Sequence, residues 1–240
     1  MKNHIPNIIT LFNMLSGILS IYSVMNGNID LAAYFIFIAA AFDFLDGLAA
    51  RLLNAKSEIG GQLDSLADVV SFGVAPGFIL FHMISISHGQ PVDSSEEFNI
   101  IPFAAFIVPA FGALRLAKFN IDTQQTETFR GLPIPAIGIL IASLPLIRAD
   151  LYESQSFFYM VMTNTYFYIT IAVIGSLLMV SRFPMFDLKF NGFSWKNNMI
   201  KYIFLGVSLI MLLVLDTIAI PFIILFYLFL SLVIFLVDIQ

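Results

Sequence analysis

Four aspartates carry the chemical content of this sequence. Asp43 and Asp46 stand three residues apart, and Asp64 and Asp68 four apart, so on two helices each pair shares one face. The chain around them is 59% hydrophobic and only 11% charged. Carboxylates in or beside apolar spans are costly, and they face a bundle interior or a wet cavity where something compensates them. Arg51 cannot neutralise four. Divalent cations can: Mg²⁺ and Mn²⁺ take hard oxygen ligands, and a pair of them clamps the oxygens of a phosphoryl group under displacement. The chemistry such a cluster suits is metal-assisted phosphoryl transfer. Singly, each aspartate also has a structural reading at the interface or as a cap, and Asp64 fits the N-cap of the apolar run that follows it. Gly47, Gly60 and Gly61 either let backbone approach a ligand or let helices pack closely.

The residues that must position these side chains form membrane-length apolar runs, placed at about 6–26, 30–53, 64–87, 99–121, 133–151, 157–182, 199–215 and 218–238. The expected fold is all-α: a polytopic transmembrane helical bundle of about eight spans, one integral membrane domain over residues 1–240. Only Asp216 and Thr217 interrupt the last tract, which is either two spans or one kinked segment. The opening MKNHIPNIITLF has one Lys before an apolar run, but no small-residue cleavage pattern follows, so it reads as a retained first span. No cysteine is present, which excludes disulfides, thiolate metal sites and cysteine nucleophiles. Nothing in the charge pattern suggests a nucleic-acid partner.

Basic residues bias the loops they occupy toward the cytoplasm. Of the 11 lysines and arginines, only Arg148 falls on the far side of the expected topology. Both termini are therefore expected in the cytoplasm. The second helix ends inward near Arg51 and the third begins near Asp64, so the acidic site opens toward soluble nucleotides and amino acids.

The pattern Asp43-x-x-Asp46-Gly47-x-x-Ala50-Arg51, eight residues, then Gly60-x-x-x-Asp64-x-x-x-Asp68 resembles the signature of the CDP-alcohol phosphatidyltransferases, with every fixed position matched. The segments IPNIITL, ALRLAKFN, FRGLPIP and SRFPMFDLK look like those of bacterial integral-membrane members that use serine. The resemblance covers about residues 5–190; the two C-terminal helices, about 199–238, add no motif. It implies transfer of a phosphatidyl group from CDP-diacylglycerol to the hydroxyl of L-serine, giving phosphatidylserine and CMP. It also implies two divalent cations, Mg²⁺ or Mn²⁺, on Asp43, Asp46, Asp64 and Asp68, with Asp68 as general base. By the same resemblance Gly47, Arg51 and Ser57 contact the CDP moiety, Asn7 and Thr10 line the nucleotide pocket, and the protein forms a homodimer in the inner membrane.

Arg115 and Lys118 lie one helical turn apart. Either could be a positive-inside marker snorkelling to lipid phosphates, but Arg115 lies deeper and its guanidinium suits a bidentate grip on an anion. With Arg130 it is the expected partner of the serine carboxylate or of a phosphate. His4, His82 and His88 are scattered and read as structural or interfacial. Two rivals remain. An acceptor such as glycerol 3-phosphate or inositol phosphate would call for more clustered basic residues than the sequence displays. A cation transporter would use the same aspartates as an ion path, but no inverted repeat is evident.

Overall fold

The computed structural model describes residues 4–55, 57–87, 99–121, 129–153, 156–186 and 195–237. Lys2, Lys56, His88, Lys189 and the acidic loop with Asp93, Glu96 and Glu97 lie outside them.

Among the described residues the architecture is all-α apart from one pair of two-residue strands. Helix α1 (Ile5–Met25) opens with Pro6 in its first turn, where a missing N–H costs nothing. It lies along α2 (Ile29–Leu52), with small and hydroxyl residues buried on both helices, Ser16, Ser20 and Ser23 of α1 and Ala32, Ala33 and Ala39 of α2, while Gly17 turns to Ser71. Small residues let two helices approach closely where lipid supplies no hydrophobic drive between them. Ser20 fixes the register by donating to Ala32 O at 2.8 Å.

After α2, Asn54 takes a left-handed conformation (φ 49°) and Ala55 N donates back to Ala50 O at 3.0 Å, a closure that ends the helix and reverses the chain. Ser57 then caps α3 (Glu58–Asp68), its hydroxyl oxygen accepting from Gly60 N at 3.0 Å. Asp64 is thus in the second turn of α3 and not its N-cap, and the helix begins six residues before the expected boundary. Directly after Asp68 the helix widens into a π-helical stretch, Val69–Val74, and continues as α4 (Ala75–Ser87). A π turn rotates the side chains beyond it relative to those before it, and such turns gather at functional sites.

A 3₁₀ entry at Ile101–Phe106, with Pro102 in its first turn, leads into α5 (Ile107–Ile121). Strand β1 (Phe129–Arg130) precedes α6 (Ile134–Leu151). The expected single span at 157–182 is broken. Helix α7 (Phe157–Met162) ends at Thr163, and α8 (Thr165–Val180) starts afresh because Asn164 Oδ1 accepts from Tyr166 N at 2.9 Å. Strand β2 (Pro184–Met185) follows, then α9 (Trp195–Leu215) and α10 (Ala219–Val237). Asp216 adopts φ 50°, and Phe204 on α9 packs its ring on Phe226 and Tyr227 of α10. The tract left open by the sequence is therefore a helical hairpin.

Among the described residues, six helices are long and apolar enough to cross a membrane, counting Asn198–Val237 once, and Thr165–Val180 is a shorter apolar helix. This is a multi-pass membrane protein. The helix running from α3 into α4 and helix α6 form its interior, with Phe72, Ile79, Met83, Ile137 and Ile141 fully or almost fully buried. The outer faces of α9 and α10 expose Leu209, Leu213, Phe229 and Phe235, the composition of a lipid-facing surface.

Strands β1 and β2 pair Arg130 with Pro184 and Phe129 with Met185. Gly131 continues the clasp: its N–H donates to Phe183 O at 2.9 Å and Leu132 N–H to Leu178 O at 3.1 Å. Gly131 has φ 77°, and a Cβ there would sit 2.4 Å from Met179 O. Gly131→Ala is therefore expected to destabilise the protein by at least about 1–3 kcal/mol from the backbone conformation alone, read as a lower apparent Tm in detergent.

Candidate active site

Helix α1 packs against both α2 and α3, and the two acidic helices turn carboxylates toward one another. Asp43 of α2 and Asp64 and Asp68 of α3 each offer a carboxylate oxygen, and the three oxygens lie within 4.8 Å of one another. The carboxyl groups of Asp43 and Asp68 come within hydrogen-bonding range. Asp68 is buried, and its Oδ1 has no hydrogen-bond partner. Like charges this close require a cation or a proton between them.

Asp46 is held differently. Its Oδ2 accepts a 2.6 Å hydrogen bond from Thr10 Oγ1 of α1, while it remains near enough to Asp43 and Asp64 to act on both electrostatically. The expected set of four thus divides into three converging carboxylates and a fourth anchored beside them. Thr10→Val removes the side-chain donor of the buried Asp46 carboxylate and leaves only the Gly47 backbone among the described residues, so a loss of about 1.5 kcal/mol in stability is expected, measurable by thermal unfolding.

The other expected residues fall around this cluster. Asn7 lies against the α3 N-terminus, its Oδ1 only 3.0 Å from where a Gly60 Cβ would be. Gly60 is thereby a packing glycine. In contrast, a Cβ on Gly61 would meet nothing within 4 Å, and one on Gly47 would meet only Arg51 Nη2 at 4.0 Å; both leave open backbone that a ligand can approach. Arg51 is exposed and donates from Nε to Gly47 O at 2.9 Å, and Ser57 is engaged as the α3 cap.

The far wall of the site belongs to α5. A cleft of about 720 Å³ is lined by Gly61, Gln62, Asp64, Asp68, Arg115 and Asn120, among others. Asn120 Nδ2 donates to Ser65 Oγ at 3.1 Å and to Gln62 Oε1 at 3.4 Å, tying the end of α5 to α3. The Arg115 guanidinium is close enough to Asp68 to interact electrostatically, and its buried Nε has no hydrogen-bond partner.

Arg115 also lines a second cavity, of about 300 Å³, with Lys118, Arg130, Ser181 and Arg182. The clasp between β1 and β2 draws Arg182 to the side of Arg130. Basic residues far apart in sequence are therefore gathered, and the expectation that they are too scattered for a phosphorylated acceptor is corrected. Arg182 enters the sequence reading through topology and through the SRFPMFDLK segment, neither of which places it beside Arg130. Gln62, Ser65 and Asn120 carried no spacing signal, because their contribution is a contact between helices.

The donor set fits the cations that the family signature implies. Three carboxylates within 4.8 Å, one with an unpartnered buried oxygen, form a hard, anionic site of the kind Mg²⁺ or Mn²⁺ takes. Asp43, Asp64 and Asp68 would hold it, with Asp46 adding negative charge at the edge.

A bundle of membrane-length helices thus carries an acidic cleft beside a basic cavity, the architecture of an integral membrane protein with a polar site. The family model described as CDP-alcohol phosphatidyltransferase matches residues 3–177, and the chain belongs to that family of transferases. Several curated relatives bear the name CDP-diacylglycerol–serine O-phosphatidyltransferase. The one from Bacillus subtilis is 40% identical over 146 residues, 59% of this chain and 75% of the relative. That from Helicobacter pylori is 34% identical over 185 residues, 75% and 72% of the two chains. The one from Methanocaldococcus jannaschii is 33% identical over 211 residues, 88% and 83%.

Proposed function

We propose that this enzyme transfers the phosphatidyl group of CDP-diacylglycerol to the hydroxyl of L-serine, forming phosphatidylserine and releasing CMP. The observation that carries the chemistry is the convergence of the Asp43, Asp64 and Asp68 carboxylates, the last two on the wall of a cleft that Arg115 shares with the basic cavity. The relatives' printed names support serine as acceptor.

In this reading the pyrophosphate of the donor lies at the carboxylate cluster, and its CDP moiety runs toward Gly47, Arg51 and the α1 face with Asn7 and Thr10. Asp43, Asp64 and Asp68 would hold divalent cations, which would supply positive charge to the pyrophosphate and the leaving CMP. Serine lies between cleft and cavity, its carboxylate on Arg115 and Arg130. Its hydroxyl oxygen forms the new bond to the phosphorus bearing diacylglycerol, the bond from that phosphorus to the CMP oxygen breaks, and the hydroxyl proton passes to Asp68. The excess of basic residues on one side of the expected topology supports a cytoplasmic site, and the bacterial relatives support the inner membrane. A homodimer is part of the same proposal, by family resemblance.

The clustering of Arg115, Lys118, Arg130 and Arg182 favours one second reading, a phosphorylated alcohol as acceptor. The two separate in one assay. Purified protein in mixed micelles with CDP-diacylglycerol and Mn²⁺ or Mg²⁺ is given serine, glycerol 3-phosphate or inositol phosphate, and CMP release is followed. Serine-dependent release is expected. Release that requires a phosphorylated acceptor and ignores serine would replace the assignment.

A further inference from the structure

The basic cavity holds more positive charge than serine needs. Serine brings one carboxylate and an ammonium, whereas Arg115, Lys118, Arg130 and Arg182 converge on about 300 Å³. An ammonium gains nothing from four cations around it. The surplus calls for a ligand that is net anionic.

What lies beside the cavity indicates the rest of that ligand. Helices α6, α8 and α10, with α7, line an apolar groove of about 510 Å³, in which Thr170 is the one hydroxyl side chain among the described residues. Groove and cavity meet at the clasp. Leu132 and Leu178 line the groove, their backbones are hydrogen-bonded at 3.1 Å, and Met179, Val180, Ser181 and Arg182 continue directly into the cavity wall. Along α6 the groove runs from Ile137 through Leu140, Leu144 and Ile147 to Leu151, one face of the helix over about 21 Å of axis. One leaflet of hydrocarbon is about 15 Å deep, so the groove accepts an acyl chain at full extension. An anion-binding head site joined to a chain-length apolar furrow, on a protein that spans a membrane, has the form of a phospholipid.

We propose that the basic cavity and the α6–α8–α10 groove together bind an anionic phospholipid, its phosphate among Arg130, Arg182 and Lys118 and one acyl chain in the groove. The site lies next to the acidic cleft but is lined by different residues, Arg115 and Phe119 excepted. The serine placement above puts a carboxylate on Arg115 and Arg130. On that reading a bound anionic lipid competes with serine, and the product, itself an anionic phospholipid, can occupy the site after transfer.

The test reads lipid binding without turnover. Protein purified in a mild detergent is exchanged against equimolar phosphatidylglycerol and phosphatidylcholine, and retained lipid is counted by native mass spectrometry. Wild type is expected to keep one phosphatidylglycerol in preference to phosphatidylcholine. Arg182→Ala is expected to lower phosphatidylglycerol retention about tenfold, the effect of removing one charge-assisted contact. Ile174→Trp, which fills the groove, should lower retention of that lipid as well, whereas Leu209→Trp on the outer face of α9 should not. Apparent Tm and elution volume report that each variant is folded. Equal retention of the two lipids by wild type overturns the proposal, as does phosphatidylglycerol retention unchanged in both Arg182→Ala and Ile174→Trp. A change in oligomeric mass by Ile174→Trp with lipid retention intact assigns the groove to a second copy of the chain and equally overturns it. Because no step depends on catalysis, failure of the serine assignment in the acceptor assay leaves this result independent.

Discussion

Asp68→Asn is expected to lower the rate of phosphatidyl transfer by about 10²- to 10⁴-fold, the range that a positioned general base contributes. The fold should survive. Asp68 is buried within 4.8 Å of two other carboxylates, and replacing it by an amide of the same shape removes a like charge and supplies a donor. In metal-free detergent solution the variant should therefore unfold at or above the wild-type temperature, while CMP release with serine is nearly lost. Activity within a few-fold of wild type would remove Asp68 from the base role. Lost activity with a sharply lower Tm would make its contribution structural.

Arg115→Ala is expected to reduce kcat/KM for serine by about 10- to 100-fold, the effect of losing a charge-assisted hydrogen bond to a carboxylate, with little change in the KM for CDP-diacylglycerol. Its buried Nε has no hydrogen-bond partner among the described residues, and the residue lines both the cleft and the basic cavity. Arg115→Lys keeps the charge but loses the planar fork, so recovery should be partial. An effect on the CDP-diacylglycerol KM equal to that on serine would place Arg115 on the donor. Saturation kinetics in each substrate separate the two.

Most of the helices were legible because bilayer thickness fixes the length of an apolar run. The α1 and α2 boundaries agree with the sequence expectation to within a residue. The departures have local causes. The start of α3 is set by the Ser57 cap and not by where hydrophobicity begins, since the first turns of α3 hold the polar face of the cleft. The break between α7 and α8 follows from the Asn164 cap, a polar signal embedded in an apolar tract that hydropathy averages away. The reversal at Asp216 needed a left-handed residue, which a charged side chain in a hydrophobic run hints at without deciding.

At the site, type and spacing put Asp64 and Asp68 on one helical face, and the structure brings the Asp43 carboxylate to them. Type and spacing did not reveal that Thr10 holds Asp46, that α5 is tied to α3 through Asn120 and Ser65, or that Arg182 joins Arg115 and Arg130. Each of those is a long-range contact, and the last depends on a clasp of two-residue strands too short to leave a pattern. The π-helical stretch after Asp68 was equally silent, because Val69–Val74 reads as ordinary apolar helix.

Thermal unfolding against divalent cation addresses the acidic cluster most directly, with no substrate present. Protein stripped with chelator and titrated with Mg²⁺ or Mn²⁺ should show a saturable rise in Tm, equivalent to about 2.7 kcal/mol at a hundredfold excess over Kd. Asp43→Asn and Asp64→Asn should each lose most of that rise. A wild-type Tm indifferent to either metal, or the same rise in both variants, would contradict the placement of the cations on these three aspartates.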